Sequence, residues 1–312
     1  KIEQGLYEIL FYQTVPGMEA DVAKSLDDAG ASEIFLALSE FDLVAILYKN
    51  DLPLTFDHHT DVAQKVRDVQ ETLAFKWAST RPPYVPATNF PAAAFTFVKL
   101  NKAAVNRKGL EVEQQLIQLL EQRYLEVTRQ DQLWFQVYGT LGWSELLLLW
   151  HGKSYQAIIQ AVMEIRGLML PPEYDLEKQP FIADTHTIPC APLLYDEYAD
   201  PFSAVSLKQI QGAVRPTIAI STHASAHIPV RKALQNVSPS LQLRTTLGYY
   251  DLYIELQQPD ISVSELATLL RTIRQQNPGV LSTQITLRDP NDAPDETELP
   301  SALTSATKEQ DL

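Results

Sequence analysis

Asp42, Glu145 and Asp251 stand in three near-copies of one stretch: "SEFDLVAILY" (39–48), "LGWSELLLLW" (141–150) and "LGYYDLYIEL" (247–256). A carboxylate flanked by glycine and aromatic residues could act as an active-site acid or help to bind a divalent metal. Two-metal sites on βαββαβ cores need a further acid where the first strand ends. The first strands here end in "FYQTVPG", "FVKLNK" and "AISTHAS", with no acid among them. The hairpin acids thus supply half of such a site. A P-loop, a "GxGxxG" and a "GxSxG" are also absent from the sequence, and a non-catalytic protein is expected.

The six histidines are the other candidates, as metal or heme ligands. His223 and His227, in "THASAH", are four residues apart, a spacing that would aim both at one metal from a helix. Here the stretch spans a strand end and a loop. His58 and His59 adjoin Asp57 and Asp61 at the start of a helix, where capping and solvation are favoured over ion binding. His186 lies four residues before Cys190 in "HTIPC", and His151, in "WHGKS", reads as a turn residue. The expectation is no cofactor, with a histidine-ligated heme or a divalent metal as the alternative.

Composition narrows the classes further. The chain has 312 residues, 45% apolar and 21% charged, with a formal charge of −14. This is a globular composition with room for two or three domains. The negative charge repels phosphate backbones, and Lys102 to Lys108 is the nearest thing to a basic cluster, so direct nucleic-acid binding is not expected. A single cysteine, Cys190, excludes an internal disulfide and suits a reducing cytoplasm. No apolar run reaches the roughly 20 residues of a membrane span. The sequence opens on Lys1, without methionine or a signal-peptide pattern, as expected of a chain cut from a longer one.

The elements around each acid come in one order. In residues 214–288, "VRPTIAIST" reads as a strand and "HIPVRKALQNV" as a helix. "SLQLRTTL" and "YYDLYIEL" read as a hairpin around Gly248. "SVSELATLLRTIRQQ" opens on a capping box, Ser262 with Glu265, and carries a stripe of Val263, Leu266, Leu269, Leu270 and Ile273. "NPG" ends that helix before the strand "VLSTQITL", which completes βαββαβ.

The order recurs twice upstream. "LYEILFYQTV", "PGMEADVAKSLDDAG", "SEIFLAL" and "FDLVAILY" begin the first unit, and a helix holding Val62, Val66 and Val69 leads to "ETLAFKWAS". "AAAFTFVKL", "GLEVEQQLIQLLEQR", "QLWFQVYG", "SELLLLW", a helix with Tyr155, Ile158, Ile159, Val162 and Met163, and "FIADTHTIP" make the second. The predicted organisation is α+β: three tandem ferredoxin-like βαββαβ repeats at 1–80, 92–190 and 214–288. A connection at 191–213 and a disordered acidic tail at 289–312 complete it. Four prolines in "STRPPYVPATNFP" mark the first join. The strands are apolar on both parities, so antiparallel sheets are expected to pair face to face. An odd third sheet then predicts a homodimer or a partner protein.

This pattern resembles the effector-binding domain of the AsnC/Lrp transcription regulators, a relative of the ACT domain. "GYYDLYIEL" and "NPGVLSTQITL" carry the resemblance. It implies a regulatory or sensor module that binds a small effector or a partner protein at the interfaces between repeats. The candidate contacts are Gly248, Tyr249, Tyr250 and Asp251. Two alternatives stay open: a heme- or metal-dependent enzyme with a pocket between repeats, and a pure protein scaffold.

Overall fold

The computed structural model describes residues 5–49, 62–76, 90–101, 110–124, 133–141, 144–169, 180–207, 215–223, 226–237, 241–245, 250–256, 263–277 and 279–288. The acidic tail, the linker at 79–89 and the stretch holding His58 and His59 lie outside them.

Eight strands close into one antiparallel barrel. They are β1 (Leu6–Thr14), β2 (Ala31–Ala37), β3 (Leu43–Lys49), β4 (Val66–Lys76), β5 (Ala92–Leu100), β6 (Leu133–Leu141), β7 (Leu146–Gly152) and β8 (Ile182–Leu193). Their order around the barrel is β1-β3-β2-β8-β5-β7-β6-β4. A separate four-stranded sheet has the order β10-β11-β9-β12, from β9 (Arg215–Thr222), β10 (Leu241–Thr245), β11 (Leu252–Leu256) and β12 (Val280–Arg288). The described helices are α1 (Glu19–Asp28), α2 (Leu110–Tyr124), α3 (Tyr155–Arg166), α4 (Pro201–Leu207), α5 (His227–Val237) and α6 (Val263–Gln276). The result is an α+β protein with a large antiparallel sheet.

Strand alternation divides the core in two. Ile9, Phe11, Phe35, Phe95, Phe97, Leu147, Leu149, Ile188 and Cys190 fill the barrel interior. Phe11 meets Phe95 edge to face, with ring centroids 5.6 Å apart. The alternate residues, among them Leu10, Ala94, Leu148 and Trp150, join the core that the helices cover. "LLLLW" has no polar side because both its faces are buried. Each fully buried large side chain contributes roughly 1.5–3 kcal/mol.

Two expectations are refined. Sheets were expected to meet face to face; their edges also bond, β2 to β8 and β4 to β6, which removes every free edge from the barrel. Val66 and Val69, read as helical from their spacing of three, lie in β4, where a shift of register beside Thr14 absorbs the odd spacing and tertiary pairing with β1 decides. In the stretch read as a connection, β8 runs on to Leu193 and α4 follows.

The four-stranded sheet is tied to the barrel by charge. Arg274 of α6, 5% exposed, pairs with Asp42 and donates to the Ser39 carbonyl at 3.1 Å. Arg67 of β4 donates to the carbonyls of Val280 and Leu281, and Arg271 of α6 pairs with Asp200 beside α4. Among the described residues, no helix is long and apolar enough to cross a membrane.

Candidate functional site

The three hairpin acids have one structural task. Asp42 Oδ2 accepts from the Thr14 amide at 2.7 Å and the Thr14 hydroxyl at 2.9 Å. Asp251 Oδ2 accepts from the Thr222 amide at 2.7 Å and its hydroxyl at 3.1 Å. Glu145 Oε2 accepts from the Leu100 amide at 2.8 Å. In each case the acid closes the end of the first strand of its unit. Its own amide donates two residues further back, to the carbonyl of Tyr12, Val98 or Ile220. A threonine offers amide and hydroxyl together, whereas Leu100 offers an amide alone and is met by the longer glutamate. The threonines are the partners that sequence reading missed; "FYQT" and "AIST" were the available signal.

This bears on the candidate ligand contacts. Asp251 is committed to Thr222, and the Tyr250 hydroxyl donates to Gln284 Oε1 of β12. Gly248 and Tyr249 lie outside the described residues. His223 sits exposed after β9, with its backbone amide bonded to Gly279. His227 opens α5, and its side chain is outside the description. Among the described residues no group of three or more His, Cys, Asp and Glu could hold a metal ion.

The remaining histidines face the barrel. His151, read as a turn residue, is buried in β7 among Phe35 and Trp134, with Nε2 3.9 Å from Glu33. Burial pushes its imidazole down to about 3, so it is neutral at pH 7. His186 shares the parity of Ile188 and Cys190. Its ring stacks over Phe97, and Nε2 lies 3.5 Å from Glu40. Four residues along a strand separate His186 from Cys190 by about 13 Å, too far to share a metal. The Cys190 thiol is buried and pushed upward by desolvation.

A cleft of about 300 Å³, half open to solvent, lies on the other face of β8. Ile158, Ile159, Val162 and Met163 of α3 form one wall, Thr187 and Pro189 of β8 the floor, and Gln284 and Ile285 of β12 the far side. Ser154 caps α3 by accepting from the Ala157 amide at 3.2 Å, which fixes where this wall begins. The Tyr155 hydroxyl donates to the Cys190 carbonyl at 2.7 Å, so Tyr155 presents its ring to the cleft.

Beside the floor, across β5 and β7, runs a short polar chain. The Trp150 indole donates to Thr96 Oγ1 at 3.1 Å, and Thr96 Oγ1 lies 3.0 Å from Thr187 Oγ1. His186 borders the cleft through its place in β8, but its ring is turned to the barrel side. Such a cleft can hold an organic molecule by apolar contact and a few uncharged hydrogen bonds.

No protein-family model matches the chain, and no curated protein does. Similar solved structures include a mutant chlorite dismutase from Candidatus Nitrospira defluvii, at 14% identity and a TM-score of 0.43, with 64% of this chain and 96% of that one covered. A heme-binding protein from Thermus thermophilus has 10% identity and a TM-score of 0.44, with 66% and 97% covered. A putative chlorite dismutase has 10% identity and a TM-score of 0.44, with 63% and 98% covered.

The AsnC/Lrp or ACT-like resemblance is therefore corrected. No model of that family matches, and the similar structures reported above are chlorite dismutases and a heme-binding protein. The physical reason is that the Gly-aromatic-Asp stretch owes its acid to strand-end bonding, present in all three hairpins. The reading as a non-catalytic regulatory or sensor module, which rested on that resemblance, is withdrawn with it.

Proposed function

We propose that the chain binds a flat, largely apolar organic molecule, as cofactor or substrate, in the cleft between α3, β8 and β12. This develops the alternative of a pocket between ferredoxin-like units. The observation that carries it is the cleft itself: apolar walls from α3 and β12, the hydroxyls of Thr185 and Thr187 and the Gln284 amide as polar points, and about 300 Å³ of space. That volume stands at the low end of the range for small-molecule sites and suits two or three fused rings. We also read the three units as tandem βαββαβ repeats, supported by the strand-end acid that recurs in each.

Heme is the group that the similar proteins' descriptions bring to mind, and the cleft was tested for it. Heme iron is commonly held by an axial histidine. Among the described residues no imidazole turns into the cleft: His186 stacks on Phe97 on the far side of β8, and His151 is buried in the barrel. A tetrapyrrole would also extend well beyond the cleft's open side. The described residues of this cleft do not fit a histidine-ligated heme.

Titration calorimetry with fluorene, a flat three-ring hydrocarbon, tests the reading. Saturable one-to-one binding is expected, abolished by Ile159→Trp, which fills the cleft with apolar bulk. Absence of binding to the wild type, or equal binding to Ile159→Trp, overturns it. A parallel hemin titration is expected to give a Soret band unchanged by His186→Ala.

A further inference from the structure

We infer that Thr187 is a specificity-determining hydrogen-bond donor, and that the cleft selects ligands with an uncharged acceptor oxygen such as a ketone, ester or quinone carbonyl. The inference rests on the proposed cleft and deepens it.

The direction of the polar chain is set by its buried end. An indole N–H can only donate, so Trp150 takes one lone pair of Thr96 Oγ1. Thr96 is fully buried, at 0% exposure, and its own proton needs an acceptor. Thr187 Oγ1, 3.0 Å away, is the acceptor in reach. Thr187 then accepts from its neighbour on β5 and carries its proton at the cleft floor. A hydroxyl that already accepts a hydrogen bond is polarised into a better donor.

The opposite wall has the same polarity. Gln284 Oε1 takes the Tyr250 hydroxyl, which leaves the amide's N–H₂ end as the group that can meet a ligand. Thr187 and Gln284 therefore both donate, and Thr185, which also lines the cleft, has a hydroxyl able to donate as well. Among the described residues, no Lys, Arg, Asp or Glu lines the cleft. A carboxylate or phosphate would lose its hydration there without gaining a counter-charge, which disfavours anions. A neutral carbonyl matches both features, and a plain hydrocarbon leaves the Thr187 donor unused.

The experiment compares 9-fluorenone with fluorene, the same ring frame with and without a carbonyl, on wild type, Thr187→Val and Thr187→Ser. Wild type is expected to prefer the ketone by about five- to tenfold, the equivalent of one neutral hydrogen bond. Thr187→Val should bring the ketone down to the affinity that the same variant shows for fluorene, and Thr187→Ser should restore the preference. Thr187→Val removes a partner of Thr96, so its melting temperature is read alongside, and fluorene binding reports that the cleft is intact. Equal affinities for both compounds in wild type, or a preference that survives Thr187→Val, overturns the donor role and leaves the cleft reading standing. Failure of both compounds to bind wild type overturns the cleft reading and this inference with it.

Discussion

Asp42 accepts both the amide and the hydroxyl of Thr14, at 2.7 and 2.9 Å, and so locks the end of β1 to the hairpin that precedes β3. Its second carboxylate oxygen pairs with the buried Arg274 of α6. One side chain thereby fixes the end of β1 and joins the barrel to α6. Asp251 performs the first task for Thr222, with no described arginine pair.

This difference predicts unequal costs. Asp42→Ala leaves Arg274 as a buried charge without its partner and is expected to cost about 3–5 kcal/mol. Asp251→Ala removes hydrogen bonds to a carboxylate and is expected to cost about 1.5–3 kcal/mol. Urea denaturation of each variant measures both, and equal losses would refute the dual role of Asp42.

The buried His151 predicts an acid-sensitive barrel. Its folded pKa, about 3, lies below the ordinary imidazole value of 6.5, so in that window the unfolded chain binds more protons than the folded one. Stability is fully present above about pH 6.5 and falls as the pH drops toward 3. Unfolding free energies at pH 7.5 and pH 5 should differ less in His151→Leu than in wild type. Identical pH slopes would show that His151 does not titrate between the two states.

Gly279 predicts a packing conflict that can be repaired. A Cβ at this position would overlap that of Ala226 in the turn before α5. Gly279→Ala is expected to destabilise the third unit by about 1–3 kcal/mol. Adding Ala226→Gly should recover most of the loss in a double-mutant cycle. Strict additivity of the two changes would place the strain elsewhere.

Much of the architecture was legible from periodicity, because both parities of "LLLLW" being apolar already implies a strand buried on two faces. The hairpins were found from alternation around the recurring acids. What escaped was non-local. Strand β2 closing on β8 depends on edges that no local pattern marks, and the helical spacing of Val62, Val66 and Val69 hides a strand whose register shifts beside Thr14. The acids were visible as a set, but their partners Thr14, Leu100 and Thr222 lie about 30 to 45 residues upstream, beyond the reach of spacing rules. The cleft was invisible for a further reason. Its walls come from α3, β8 and β12, which are far apart in sequence, and its polar point Thr187 is an ordinary strand threonine until Thr96 and Trp150 stand beside it on β5 and β7.

The most direct measurement of the proposed binding site is a methyl-resolved NMR titration with fluorene. Resonances of Ile159, Met163 and Ile285, which line the cleft, are expected to shift together and saturate at one equivalent. Ile9 and Ile46, inside the barrel, should stay in place. Shifts confined to the barrel methyls, or none at the cleft, would contradict the site.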